Sequence, residues 1–339
     1  MLNSKEPKNE RTKRTIQILF IVVAVFVVIT AAVIICIILY NYYNHNNYST
    51  SSSHPTVTEI NHYSGIDKFG VKEIYPTKPG EQEWFMNMSN IAHDPRTLFT
   101  AAIPTLTNNP DGSWKVSSPE VRYNIFTSSG YRPELITTLN QKQLATKGYM
   151  QSSNDWRNVE ITAYLKLDDQ GGYITGASGG LLGGHYTMYA RGGMHKGFGP
   201  TDGGCEGTSY HGDWAYDGAT RFAKEQWYPS YAFTPYKPSS GPIESKWVGF
   251  KTIMYNIQQN GKTAVKMEIW VDANGNGNWV KVNEFVDSGG WGNAGAECGG
   301  SPDQIITWGG PIVTYRWDNS PDVDIKDFSV REIQATNQQ

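Results

Sequence analysis

The chain has 339 residues, of which 18% are charged and 13% aromatic, with 35 glycines. Few charges and many rings argue against a disordered chain and against a coiled coil, and the length accommodates one large all-β domain. The formal net charge of −3 is uneven: residues 1–15 hold five bases and two acids, leaving 24 bases against 30 acids elsewhere, a mildly acidic body that argues against nucleic acid as a partner.

Ile18 to Leu39 form twenty-two consecutive uncharged residues rich in Ile and Val. At helical rise they reach roughly 33 Å, enough to cross a bilayer core of about 30 Å. A secretory signal peptide is the competing reading, but its apolar stretch is shorter and no small-residue cleavage site follows Leu39. Bases precede the segment and none follows until Lys68, so the N-terminus is expected in the cytoplasm and the rest outside, with Tyr40, Tyr42 and Tyr43 in the outer interfacial belt. The expected organisation is a basic cytoplasmic tail over 1–15, a transmembrane signal-anchor over 16–40 and a flexible Asn-, Tyr- and Ser-rich stalk over 41–63. An extracellular β domain over 64–333 and a short tail over 334–339 follow. Cys36 lies in the span, which leaves Cys205 and Cys298 to pair in an oxidising exterior; the bridge would close about 93 residues and be worth roughly 4–5 kcal/mol. Asn47-Tyr48-Ser49 and Asn87-Met88-Ser89 have the form of N-glycosylation acceptors.

Beyond the stalk, short alternating runs recur between Gly, Asn, Asp and Pro clusters, the pattern of an antiparallel β protein. Trp156 to Leu167 is the clearest, with Val159, Ile161, Ala163, Leu165 and Leu167 on one face and Asn158, Glu160, Thr162, Tyr164 and Lys166 on the other. His185 to Arg191 places His185, Thr187, Tyr189 and Arg191 together, and Arg221 to Trp227 aligns Arg221, Ala223, Glu225 and Trp227. Further strands are expected over 247–256, 265–272 and 324–333, with a hairpin turn between Asp272 and Trp279. The fold class is all-β, a two-sheet antiparallel jelly-roll sandwich.

Arg191 to Asp213 reads as a Gly-rich loop holding Arg191, His195, Lys196, Glu206, Tyr210, His211 and Asp213, a concentration of titratable groups that marks a candidate site. Rings alternating with polar groups on strand faces form a second constellation: Asn158, Glu160, Tyr164, Tyr189, Arg191, Glu225 and Trp227, with Trp247 and Trp270 nearby. Such surfaces suit sugars, whose C–H faces stack on rings while their hydroxyls need hydrogen-bond partners. Asp272, Asn274, Asn276 and Gly277 resemble the start of a calcium loop, but Asn283 stands at its twelfth position and a hairpin tip is the better reading. Asp318, Asp322, Asp324 and Asp327 leave a structural calcium open, while no cofactor is required and no zinc motif occurs. Gly176 to Gly180 satisfies G-x-S-x-G, but a strand pattern follows where a nucleophile elbow needs a helix.

The strand DWRNVEITAYLKL, the hairpin VKMEIWVDANGNGNWVKVNEF and the closing DIKDFSVREI together resemble the concanavalin A-like lectin/glucanase superfamily over roughly Asp155 to Ile333. That resemblance implies a lectin, a carbohydrate-binding module, a glucanase or a jelly-roll polysaccharide lyase. The glucanase run of alternating carboxylates is absent, and so is the Q-I-H strand motif of alginate-type lyases. The first reading is therefore an anchored extracellular carbohydrate-binding protein for polysaccharide or glycoprotein glycan. The second is an anchored polysaccharide-cleaving enzyme, a lyase before a glycoside hydrolase, with His195 or His211 as base, Tyr210 or Tyr189 as acid, Arg191 as neutraliser and Glu206 as a further titratable group. A structural or adhesion protein is the third.

Overall fold

A computed structural model describes residues 65–131, 154–167, 184–193, 208–226, 231–292 and 300–335, all within the unit Tyr63–Gln339. The expected span, stalk and Asn47 lie outside these residues, as do Cys205, Cys298, His195, Lys196, Glu206, Trp227 and the G-x-S-x-G segment. Among the described residues no helix is long and apolar enough to cross a membrane.

Among the described residues sixteen strands form two eight-stranded antiparallel sheets. In chain order they are β1 (Glu83–Phe85), β2 (Thr97–Thr100), β3 (Thr105–Asn108), β4 (Trp114–Ser117), β5 (Glu120–Phe126), β6 (Val159–Leu167), β7 (His185–Gly192) and β8 (Ser209–Ala215). There follow β9 (Ala219–Glu225), β10 (Tyr231–Phe233), β11 (Lys237–Pro238), β12 (Val248–Gln259), β13 (Lys262–Asp272), β14 (Val280–Asp287), β15 (Ile312–Asp318) and β16 (Asp322–Glu332). The first sheet runs β14-β13-β12-β6-β16-β4-β3, with β1 also on β16; the second runs β10-β9-β8-β7-β15-β5-β2, with β11 also on β9. The closing strand β16 thus sits inside the first sheet, against β6.

Period-2 patterning explains the layers. Val159, Ile161, Ala163 and Leu165 of β6, with Val265, Met267 and Ile269 of β13, face Tyr186, Met188, Trp214, Tyr315 and Trp317 of the second sheet in one buried cluster. Full burial of such side chains contributes about 1.5–3 kcal/mol each. Gly212 of β8 marks a close approach of the layers, because a Cβ there would overlap the Thr252 side chain of β12. Gly212→Ala is expected to destabilise the domain by about 1–3 kcal/mol through overpacking, read as a lower denaturant midpoint.

The polar face of β6 departs from expectation. It is not displayed to solvent, because the segment from Asp67 to Tyr75 lies over it. Glu160 is fully buried, receives N–H donors from Ile74 (3.0 Å) and Tyr75 (3.2 Å), and binds Lys251 Nζ at 2.7 Å. Arg331 adds an ion pair at 2.9 Å. Tyr164 is buried against Trp279 and donates to Asp272 (3.1 Å). An unlabelled strand face shows only that something must cover or wet it, and here protein covers it. The Asp272 carboxylate accepts from the N–H groups of Asn276 (3.1 Å) and Gly277 (2.6 Å), so the calcium-like motif is a capped hairpin tip.

Candidate functional site

On the outer face of the second sheet the same alternation builds a side-chain grid. Strand pairing puts Thr314, Tyr189, His211 and Ala223 in one row across β15, β7, β8 and β9. Arg316, Thr187, Asp213 and Arg221 form the next row, and Ser209 and Glu225 pair beyond His211.

Two of the rings in this grid are half-buried, Tyr189 and Tyr231; beneath them the polar floor is buried, with His211 4% and Glu225 1% exposed. Tyr189 stacks on the His211 ring at 4.6 Å, and Tyr231 meets it edge-on at 5.8 Å. The Ser209 hydroxyl donates to Glu225 Oε2 (3.2 Å) and lies 2.8 Å from His211 Nε2. With its proton given to Glu225, Ser209 accepts from His211, which fixes the tautomer carrying hydrogen on Nε2. Burial, followed by the charge and hydrogen bond of Glu225, pushes the Tyr231 hydroxyl up. Burial also raises Tyr189, while Arg122 and Arg316 pull it back. Asp213 accepts from Thr187 Oγ1 and Arg221 Nε, both at 2.8 Å. Burial pushes the Asp213 carboxyl up, but His185, His211 and Arg221 outweigh it and hold it below its ordinary value. The arrangement offers flat rings and oriented hydrogen-bonding groups on a rigid sheet.

Of the sequence-predicted residues, Tyr189, His211 and Glu225 come together here, with Asp213 beside them. Tyr210 and His211 belong to β8 rather than to a loop, since Tyr210, Gly212 and Trp214 alternate inward. Tyr210 therefore points between the sheets, where its hydroxyl donates to Asp287 (2.6 Å) and accepts from the Ile306 N–H (3.0 Å). Arg191 also faces inward. The β7–β15 register shifts beside it and its φ is +75°, so a bulge breaks the alternation that would have put it next to Tyr189. Its guanidinium donates to Asn256 (2.6 Å) and the Ile306 carbonyl (2.8 Å), and burial pushes its pKa down to about 10. Neither Tyr210 as acid nor Arg191 as neutraliser is placed to meet a ligand on this face. Asn158 is half-buried and accepts from the Asn256 N–H at 2.9 Å, away from this face. Glu160 and Tyr164 belong to the other sheet, as does the half-buried Trp270, bonded to Glu268, while the half-buried Trp247, under Lys326, precedes β12 of that sheet.

Sequence reasoning missed Ser209, Tyr231 and Arg316. The alternation of Thr314, Arg316 and Asp318 against Val313, Tyr315 and Trp317 carried the signal for β15. Of the aspartates that left a structural calcium open, Asp318 pairs with Arg122 and Arg316, Asp324 with Lys115 and Lys166, and Asp322 accepts from Ser117. Among the described residues no group of three or more His, Cys, Asp or Glu is placed to hold a metal ion.

No family model matches the chain, and no curated protein matches it. Among solved structures it is similar to the marine PL-14 alginate lyase from Aplysia kurodai, at 9% identity, 68% of this chain, 87% of that chain and TM-score 0.38. It is also similar to a protein of unknown function with a galectin-like fold from Bacillus subtilis, at 10% identity, 77% of this chain, 100% of that chain and TM-score 0.38. A third similarity is to the exoplasmic/lumenal domain of VIP36 in a Ca2+/Man3GlcNAc-bound form, at 7% identity, 72% of this chain, 89% of that chain and TM-score 0.36. The architecture is the two-sheet jelly-roll sandwich that the concanavalin A-like resemblance implied.

Proposed function

We propose that this protein binds a carbohydrate chain on the outer face of its second sheet and displays that face outside a membrane on an anchor at residues 16–40. The observation that carries the reading is the pair of half-buried rings, Tyr189 and Tyr231, over the buried hydrogen-bonded floor of His211, Ser209 and Glu225. Sugar rings stack on such phenols while neighbouring polar groups take their hydroxyls. Full-length protein in detergent micelles, titrated with a panel of neutral and acidic polysaccharides, tests it. Tyr189→Ala is expected to weaken the bound polymer about tenfold, the equivalent of one lost stacking contact. Absence of binding across the panel would sink the reading.

A second reading, cleavage by β-elimination, is favoured by the Tyr189 hydroxyl itself. It reaches Thr314 and its ring lies on His211; burial raises its pKa, and the nearby Arg122 and Arg316 oppose that rise only in part. A proton-transferring phenol near cationic groups is what removal of a proton beside a uronate carboxylate requires. Rising ultraviolet absorbance from unsaturated chain ends, lost in Tyr189→Phe, distinguishes cleavage from retention.

A further inference from the structure

We infer that the carbohydrate taken by this face is a carboxylated polymer, gripped through its acid groups by Arg316 and Arg221; the inference rests on the binding reading above. The two arginines occupy the same row of the grid, on β15 and β9, with Thr187 and Asp213 between them. They are tethered alike. Arg316 Nε donates to Asp318 (2.7 Å) and Arg221 Nε donates to Asp213 (2.8 Å). Neither side chain makes a further hydrogen bond among the described residues, and the two are 26% and 19% exposed. Each guanidinium is thus held through Nε, which leaves its two terminal nitrogens free for a ligand on a partly exposed side chain.

The clamps also remove rotational freedom. The Arg221 guanidinium lies 4.0 Å from the Phe233 ring and 4.4 Å from the Tyr236 ring. Arg316 shares Asp318 with Arg122. A fixed guanidinium fork matches a planar carboxylate through two parallel hydrogen bonds and loses little entropy on binding. Neutral sugar hydroxyls can accept from the fork but bring no charge to strengthen the bonds.

Spacing gives the ligand its length. Three strand steps separate the two arginines, which is about 14 Å at the usual inter-strand distance. That exceeds one sugar ring, so the ligand is a chain lying across the strands, with acid groups recurring along it and rings passing over Tyr189 and Tyr231. A polyuronate has this chemistry.

The test titrates full-length protein in detergent micelles with polygalacturonate, alginate and hyaluronate, each beside its carboxyl-reduced counterpart. At least one acid form is expected to bind about tenfold or more tightly than its reduced form, and Arg221→Gln and Arg316→Gln are each expected to lower that acid-to-reduced affinity ratio, measured within each variant, by about tenfold. Both arginines are partly exposed, and unchanged melting curves would show that the variants fold. Equal affinity for acid and reduced polymers, or an acid preference that survives in the double variant, overturns the inference and leaves carbohydrate binding standing. Dextran sulfate bound as tightly, with no dependence on Arg221, overturns it as general polyanion attraction. Failure of every polymer to bind removes both readings together.

Discussion

Glu160→Ala is expected to lower the unfolding free energy by about 3–5 kcal/mol, the cost of removing one partner from a buried ionic cluster. Glu160, the second residue of β6, joins three pieces of chain that the sequence keeps far apart. Lys251 of β12 and Arg331 of β16 supply the cations, while Ile74 and Tyr75 supply backbone donors from the covering segment. Truncation leaves Lys251 without its carboxylate and Arg331 with Glu73 alone (3.2 Å), and frees two backbone N–H groups. Glu160→Gln should cost less, because an amide oxygen still accepts. Replacing Glu160, Lys251 and Arg331 together by apolar residues of similar size should recover much of the loss. Burial raises the Glu160 carboxyl, but Lys251 and Arg331 outweigh it and hold the pKa below the ordinary value. The folded state therefore binds fewer protons than the unfolded chain in that window. The stabilisation is present above the unfolded carboxylate pKa and is lost as pH falls through the folded one. Urea midpoints measured from neutral to acidic pH should fall more steeply for the wild type than for Glu160→Gln.

How far the sequence foretold this molecule depends on what kind of information each feature needs. The strands β6, β12, β13 and β16 were legible because a half-buried strand writes its two faces as a period of two, and the β13–β14 hairpin because Asn and Gly cluster at its turn. Whether a polar face meets water or protein is not written in the strand. Glu160 and Glu225 look alike in sequence; one lies under a segment nearly ninety positions earlier and the other floors the candidate site. Arg191 shows a second limit. A single residue with φ of +75° turns its side chain from the ligand face to the interior, and a bulge depends on the neighbouring strand's register rather than on local composition. The glycines around Tyr210 and His211 hid β8 by imitating a loop, although the inward Gly212 is there because the opposite layer leaves no room for a Cβ. Arg316 and Arg221 were readable as outward positions, but their common tether is a property of pairing between strands.

The second large effect concerns the underside of the site. Tyr210 and Lys224 are paired neighbours on β8 and β9, one residue away from His211 and Glu225, and both reach inward to Asp287 on β14 of the opposite sheet. Lys224 Nζ lies 2.7 Å from Asp287 Oδ2 with both side chains fully buried, and it also donates to the Trp291 carbonyl at 2.8 Å. Asp287→Ala removes the acceptor for the phenol and the counter-ion for the ammonium at once, so a loss of about 3–5 kcal/mol is expected at neutral pH. Burial lowers the Lys224 pKa, and Asp287 is the main influence opposing it. Without Asp287 the depression deepens, and below the ordinary lysine pKa the unfolded chain then binds more protons than the folded one. Stability of the variant should therefore rise with pH, narrowing its deficit towards the wild type in alkaline solution. Lys224→Met combined with Asp287→Leu should restore much of the stability and abolish that slope. Because these inward contacts hold the two strands that carry His211 and Glu225, Asp287→Ala should also weaken polymer binding although Asp287 lies on the opposite sheet. The double variant separates the two causes: recovered stability with recovered binding assigns the loss to strand position, whereas recovered stability without binding assigns it to the charge of the buried pair.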